Sequence, residues 1–210
     1  PQSNFVLLGG GPNFDAENVV AWESGYRAQF AERLLATVAV FYNEFDDIRS
    51  TSLSPTLFPL FFENNLEGET HGLELTADYQ LQDWWLLSGG YNLLKEDMRV
   101  KPGKFDFNNA LNETADPEHQ VTLSSSMDFS QNISLDFSVR WIDELIKNDG
   151  GSADEVPGYT ELNLRVGWSP AENVELSLVG QNLLDNQHPE FGVTGPLRGE
   201  IERSVFGKVA

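Results

Sequence analysis

The residue types that most often carry chemistry are sparse in this chain. Its three histidines, His71, His119 and His188, lie far apart, and no two have the short spacing that places paired metal ligands on one face. Cysteine is absent, which removes thiolate ligands, thiol nucleophiles and disulfides together. The acidic pairs Asp46-Asp47 and Glu96-Asp97 offer the hard oxygen ligands that Ca²⁺ takes, and serve equally well as solvated loop bases. Gly9-Gly10-Gly11 is glycine-rich, but no strand-to-helix unit with a lysine follows, so it is not a phosphate loop. The serines near His119 sit in a segment of alternating polarity, and no Ser/His/Asp arrangement stands out. The expectation is a protein that is not an enzyme, with no catalytic residue, no resident metal and no cofactor.

Two clusters suit binding better than catalysis. Leu57, Phe58, Leu60, Phe61 and Phe62 crowd into one connecting segment, and such a group marks either a contact surface or packing between neighbouring loops. Arg99, Lys101 and Lys104 gather in another connection. They stand out because the 210-residue chain has 13 Lys+Arg against 33 Asp+Glu, a formal charge of −20. A balance this acidic excludes nucleic acid as a partner, since phosphate binding needs a basic face. The candidate ligand-contacting residues are therefore Phe58, Phe61, Phe62, Arg99, Lys101 and Lys104, on two loops that rise from the same rim.

What must position these residues is a set of strands. Residues 161–168 read ELNLRVGW, with Leu162, Leu164, Val166 and Trp168 on one face and Glu161, Asn163, Arg165 and Gly167 on the other. Residues 132–141 do the same, with Ile133, Leu135, Phe137, Val139 and Trp141 against Asn132, Ser134, Asp136, Ser138 and Arg140. Similar alternation runs through 20–30, 72–81 and 120–129, and less cleanly through 34–45, 84–94, 174–184 and 201–210. That makes about nine strands, most near the roughly 9–11 residues that a tilted membrane strand needs. Connections alternate between tight ones, near Glu32, Asp83, Gln131 and Glu172, and long ones covering 48–65, 95–117, 143–157 and 185–199. Tight turns at one rim and long loops at the other are the pattern of an up-and-down outer-membrane barrel, with the long loops outside the cell. Aromatics near strand ends, among them Trp22, Tyr42, Trp84, Trp85, Trp141 and Trp168, match interfacial girdles. A mean hydropathy of −0.33 is compatible with this, because only the lipid-facing half of each strand needs to be apolar. On this reading Leu135, Phe137, Val139, Leu162, Leu164 and Val166 touch lipid.

Several stretches resemble the barrel of TonB-dependent outer-membrane receptors. They are AWESGYRAQF followed by ATVAVFYNEFDDI, NNLEGETHGLELTADYQ, VPGYTELNLRVGW followed by LVGQNLLDNQHPEF, and the terminal ERSVFGKVA. The resemblance implies an all-β, antiparallel up-and-down transmembrane barrel of about 22 strands, of which 1–210 is the C-terminal portion. The family's plug domain, its N-terminal strands and its TonB-contacting box have no counterpart in these residues. It also implies energy-coupled uptake of a scarce nutrient, with a ferric siderophore first among ligands. Outer-membrane lipid would surround the wall, and TonB would act through the missing N-terminal region. Other readings are a passive or smaller self-contained outer-membrane barrel, and a soluble extracellular β-sandwich that binds carbohydrate. A self-contained barrel would show an even strand number, and a sandwich would show short strands.

Overall fold

The structure, a computed structural model, describes residues 8–10, 14–53, 60–111, 114, 116–130, 132–148, 153–191 and 198–210. Nine strands follow one another as an antiparallel meander, each hydrogen-bonded to its neighbours on the path. They are β2 (Asn18–Phe30), β3 (Leu34–Leu53), β4 (Leu60–Gln82), β5 (Trp85–Val100), β6 (His119–Ser130), β7 (Ile133–Ile142), β10 (Tyr159–Ala171), β11 (Val174–Gln181) and β14 (Ser204–Val209). A short β1 (Leu8–Gly10) pairs in parallel with the start of β4. Two small hairpins, β8 (Leu145–Asn148) with β9 (Ala153–Val156) and β12 (Gln187–His188) with β13 (Ile201–Glu202), stand apart from the main sheet. The two ends of the meander, β2 and β14, are not paired with each other, so the sheet is an open piece of barrel wall.

The register shows why the wall has two solvents. Cross-strand partners share a face. One continuous row runs Phe30, Leu34, Tyr79, Leu87, Ser125, Phe137, Leu164, Gly180 and Val205. The adjacent row, one residue over on every strand, runs Gln29, Leu35, Asp78, Ser88, Ser124, Ser138 and Asn163, with the pair Gln181 and Ser204 continuing it beyond the β10–β11 ladder. The first face is apolar and the second polar, as a period-2 chain dictates. The apolar face is the exposed one: Trp22, Tyr26, Phe30, Leu75, Leu123, Leu164, Val166, Trp168 and Leu178 all present large surfaces. A soluble β protein would bury this band, whereas a membrane strand presents it to lipid. Aromatic pairs edge the band. Trp22 and Tyr42 stand 5.6 Å apart at the long-loop rim, and Trp84 lies 5.4 Å from Phe129 at the tight-turn rim.

Three of the tight turns fall close to their expected places: a 3₁₀ turn at Ala31–Arg33, a two-residue turn at Asp83 and Trp84, and another at Glu172 and Asn173; Gln131 lies outside the described residues. The long connections differ from expectation. β3 runs on to Leu53, β4 begins at Leu60 and β5 reaches Val100, so much of 48–65 and the start of 95–117 is strand. The alternation used to find strands breaks where the β3–β4 register shifts, between Phe45 and Ile48 and between Ile48 and Ser50. Asp47 there takes a left-handed φ of 58°. A bulge turns the side-chain pattern over but leaves the hydrogen-bonded ladder running.

Above these bulges the wall has a small core of its own. Ile48, Leu66 and Ala110 are buried together, with Phe45, Met98 and Val100 packed around them. Segment 101–111 folds back over the inner face to close it. Lys101 N–H donates to the Asn65 carbonyl, and Phe107 N–H to that of Thr51. The buried Asp106 carboxylate accepts from the Thr51 and Ala110 N–H groups at 2.7 and 3.0 Å.

Candidate functional site

The inner face carries the polar chemistry. Near its middle Arg165 donates to Asp136 at 2.8 Å and Ser134 at 3.1 Å, and also to Glu175, tying β7, β10 and β11 together. Two inward rows towards the long-loop rim, past Ser138 and Asn163, Arg140 of β7 bridges Glu161 of β10 at 2.8 Å and Glu190 of the segment after β11. The Arg140 guanidinium also lies 5.5 Å from the centre of the Tyr159 ring. Polar side chains that satisfy one another across strands make this surface a wet wall.

The sequence-derived ligand residues are distributed differently from one another. Phe58 lies outside the described residues. Phe61 and Phe62 are consecutive on β4 and so point to opposite faces. Phe61 shares the inner face with its partner Ser52, whose hydroxyl donates to the Phe105 carbonyl of the returning segment. Phe62 packs on the other face against Phe14 at 5.8 Å, under the Arg49 guanidinium.

The cations do not converge. Arg99 is on the outward face of β5 and pairs with Glu67 at 3.1 Å. Lys101 is largely covered, with its ammonium 2.5 Å from both Asp46 and Asp47 at the bulge. Lys104 is exposed at the tip of the returning segment, near enough to Glu63 to favour its ionised form.

The Lys101 clamp has a defined pH signature. Its hydrogen bond to Lys101, helped by the Asp47 N–H, holds the Asp46 carboxyl below the usual carboxylate range. Donation to Asp46 and Asp47 pushes the Lys101 ammonium above its ordinary value. Ser52 and Asn65 likewise lower Glu63 beneath. For depressed carboxylates the stabilisation is complete above their unfolded value and is lost as pH falls through the lower folded value. For the raised lysine it is complete below its unfolded value and persists to alkaline pH. Hydrogen exchange of 101–111, corrected for the intrinsic rate, should therefore be slow at neutral pH and quicken on acidification below the ordinary carboxylate range. Lys101→Met should quicken it at neutral pH and flatten the pH step. An unchanged step in that variant would remove the clamp from the account.

A second cluster escaped the sequence reading. His188 is 3% exposed and stacks on Tyr159, ring centres 4.1 Å apart. One of its ring nitrogens and carboxylate oxygens of Glu161 and Glu190 lie within 4.8 Å of one another. Spacing along the chain could not show this, because Glu161 stands on a wall strand and the other two on a segment that returns over it. The available signal was Tyr159-x-Glu161 on an inward face with a histidine in the following long connection.

Comparison with known proteins agrees with this architecture. A family model described as TonB dependent receptor-like, beta-barrel, matches residues 1–183. The chain is similar in fold to the FrpB iron transporter of Neisseria meningitidis, with a TM-score of 0.78 and 18% identity over 95% of this chain and 32% of that one. It is similar to the siderophore receptor PiuA of Acinetobacter baumannii, with a TM-score of 0.72 and 22% identity over 91% and 28% of the two chains. It is also similar to the ferric-catecholate import receptor Fiu of E. coli K12, with a TM-score of 0.70 and 20% identity over 98% and 30%. The chain thus spans about three tenths of the length of these receptors. The apolar outer band, polar inner wall and alternating rims are those of a transmembrane β-barrel, and this chain belongs to the TonB-dependent receptor β-barrel family of the Gram-negative outer membrane.

Proposed function

We propose that this wall belongs to a receptor that takes up a scarce nutrient across the outer membrane, with TonB supplying the energy and a ferric siderophore as the cargo. The observation that supports it most is the match of the family model along the wall. The similar structures named above are an iron transporter, a siderophore receptor and a ferric-catecholate import receptor. Another similar structure is the copper transporter OprC, at 17% identity and a TM-score of 0.69. Soft Cu(I) prefers sulfur ligands, and this chain has no cysteine. Its two methionines, Met98 and Met127, are in packing positions.

In this reading Phe61 and Lys104 offer the ligand burial and a positive charge at the mouth. Arg99 and Lys101 support the surface that carries them. Attraction by an exposed lysine acts mainly on association and fades with salt. Uptake of radioactive iron as catecholate, hydroxamate and carboxylate chelates, in cells with and without TonB, tests the function. One class should enter only with both receptor and TonB. Lys104→Gln should slow its association at low salt and leave the high-salt rate unchanged. If no iron chelate enters above the receptor-free background, the cargo is of another class.

A further inference from the structure

We propose that Glu161, His188 and Glu190 form a binding site for a divalent transition-metal ion that pins the segment after β11 to the inner wall. Two independent features meet there. Three side chains from two separate elements bring ligand atoms within 4.8 Å of one another. The imidazole among them is 3% exposed, yet neither of its ring nitrogens has a hydrogen-bond partner in the protein. The Asp185 carboxylate approaches Nδ1 only to 3.9 Å, too far for a hydrogen bond. Buried polar groups are almost always satisfied, so an imidazole held unpartnered beside two carboxylates points to a missing partner.

The surroundings are those of an oriented ligand set. Asn163 Nδ2 donates to Glu161 Oε1 at 2.8 Å, and the Tyr159 hydroxyl donates to Glu190 Oε1 at 3.1 Å. Arg140 touches both carboxylates, and the Tyr159 ring lies flat on the imidazole, 17° from parallel. Such outer contacts fix ligand orientation in metal sites. Two carboxylates against one guanidinium leave a local excess of negative charge, which a dication offsets. One nitrogen and two oxygens are a borderline set, suited to Zn²⁺, Fe²⁺ or Mn²⁺. Ca²⁺ and Mg²⁺ prefer oxygen throughout. Metal–ligand distances near 2.0–2.2 Å require the group to contract by roughly 1 Å. The bound ion would link β10 to Gln187–Glu190, making one rigid unit of wall and rim.

The test uses the full chain, purified in detergent and stripped with a chelator. Zinc is titrated calorimetrically and Co²⁺ by its visible absorption. We expect a single ion per chain, cobalt bands of nitrogen and oxygen ligation, and no displacement by Ca²⁺. His188→Gln and Glu190→Gln should each weaken binding by at least about tenfold, while Glu202→Gln on exposed β13 should not. Heat-modifiable gel migration confirms that each variant is folded, and Glu161→Gln replaces any that is not. Absence of stoichiometric binding at micromolar zinc, or equal binding by a folded His188→Gln protein, overturns the site. Either result leaves the uptake reading where it stood, since that reading is scored by chelate transport.

Discussion

Arginine in place of Leu164 should destabilise the assembled barrel by about 2–4 kcal/mol, and arginine in place of Ser138 should cost little. Leu164 lies on the outward apolar row between Phe137 and Gly180, midway between Thr160, opposite Trp141, and Trp168 at the other edge of the band. A guanidinium there faces hydrocarbon near the midplane and must snorkel or draw water into the bilayer. Ser138 lies on the inward row, paired with Asn163 and Ser124, within reach of water and Asp136. Asn163 is a poorer control than its position in the alternation suggests, because its side-chain oxygen accepts the N–H of the buried Asn182 at 3.1 Å. Urea titration of the barrel folded into phospholipid vesicles measures both variants. Equal penalties at the two positions would mean that the outward face is a protein core and not a lipid contact.

Leu66→Ala should cost about 2–5 kcal/mol, but the loss should be confined to the rim. Leu66 is 2% exposed and sits between Ile48 and Val100 in the small core closed by Ala110. The cavity left by truncation would be shared by 101–111, which is held by backbone hydrogen bonds, the Asp106 carboxylate and the Lys101 clamp. Limited proteolysis of intact cells should then cut within 101–111, while the band between the girdles stays resistant and heat-modifiable. Loss of the whole barrel in this variant would show that the rim core and the wall fold as one unit, against their separation by the bulges.

The wall was legible because lipid imposes the alternation residue by residue. Leu162, Leu164 and Val166 against Asn163 and Arg165 could be assigned their faces before any coordinates, and the register places them as expected. Beyond the girdle that constraint lapses. Residues 48–53 and 60–65 read as a loop because the bulges at Asp46-Asp47 and between Glu63 and Leu66 invert the pattern and put Asn65 and Leu66 side by side in buried positions. The β8–β9 and β12–β13 hairpins are too short for periodicity to register. The apparent basic cluster illustrates the same limit. Arg99, Lys101 and Lys104 are neighbours in sequence, but a strand end, a bulge and a turn send them to three different surroundings. His188 joins Glu161 only through the return of a segment over the wall, a tertiary event with no local signature.

The bulge at Asp46-Asp47 also bears on how such a protein can change over generations. Below it, every outward position answers to the bilayer, and an insertion of one residue would turn an entire strand inside out. Above it, the alternation has already been reset, and the ladder tolerates irregularity at Ile48 and Ser50. Additions or deletions in the rim therefore stop at the bulge and do not propagate into the wall. A lineage can redraw the mouth of the receptor for a new ligand, or to escape a phage or an antibody, while inheriting the membrane-spanning part intact. Divergence among related chains should be concentrated from Ile48 to Glu63 and in 101–111, with residues 34–45 and 68–82 held close to their present lengths.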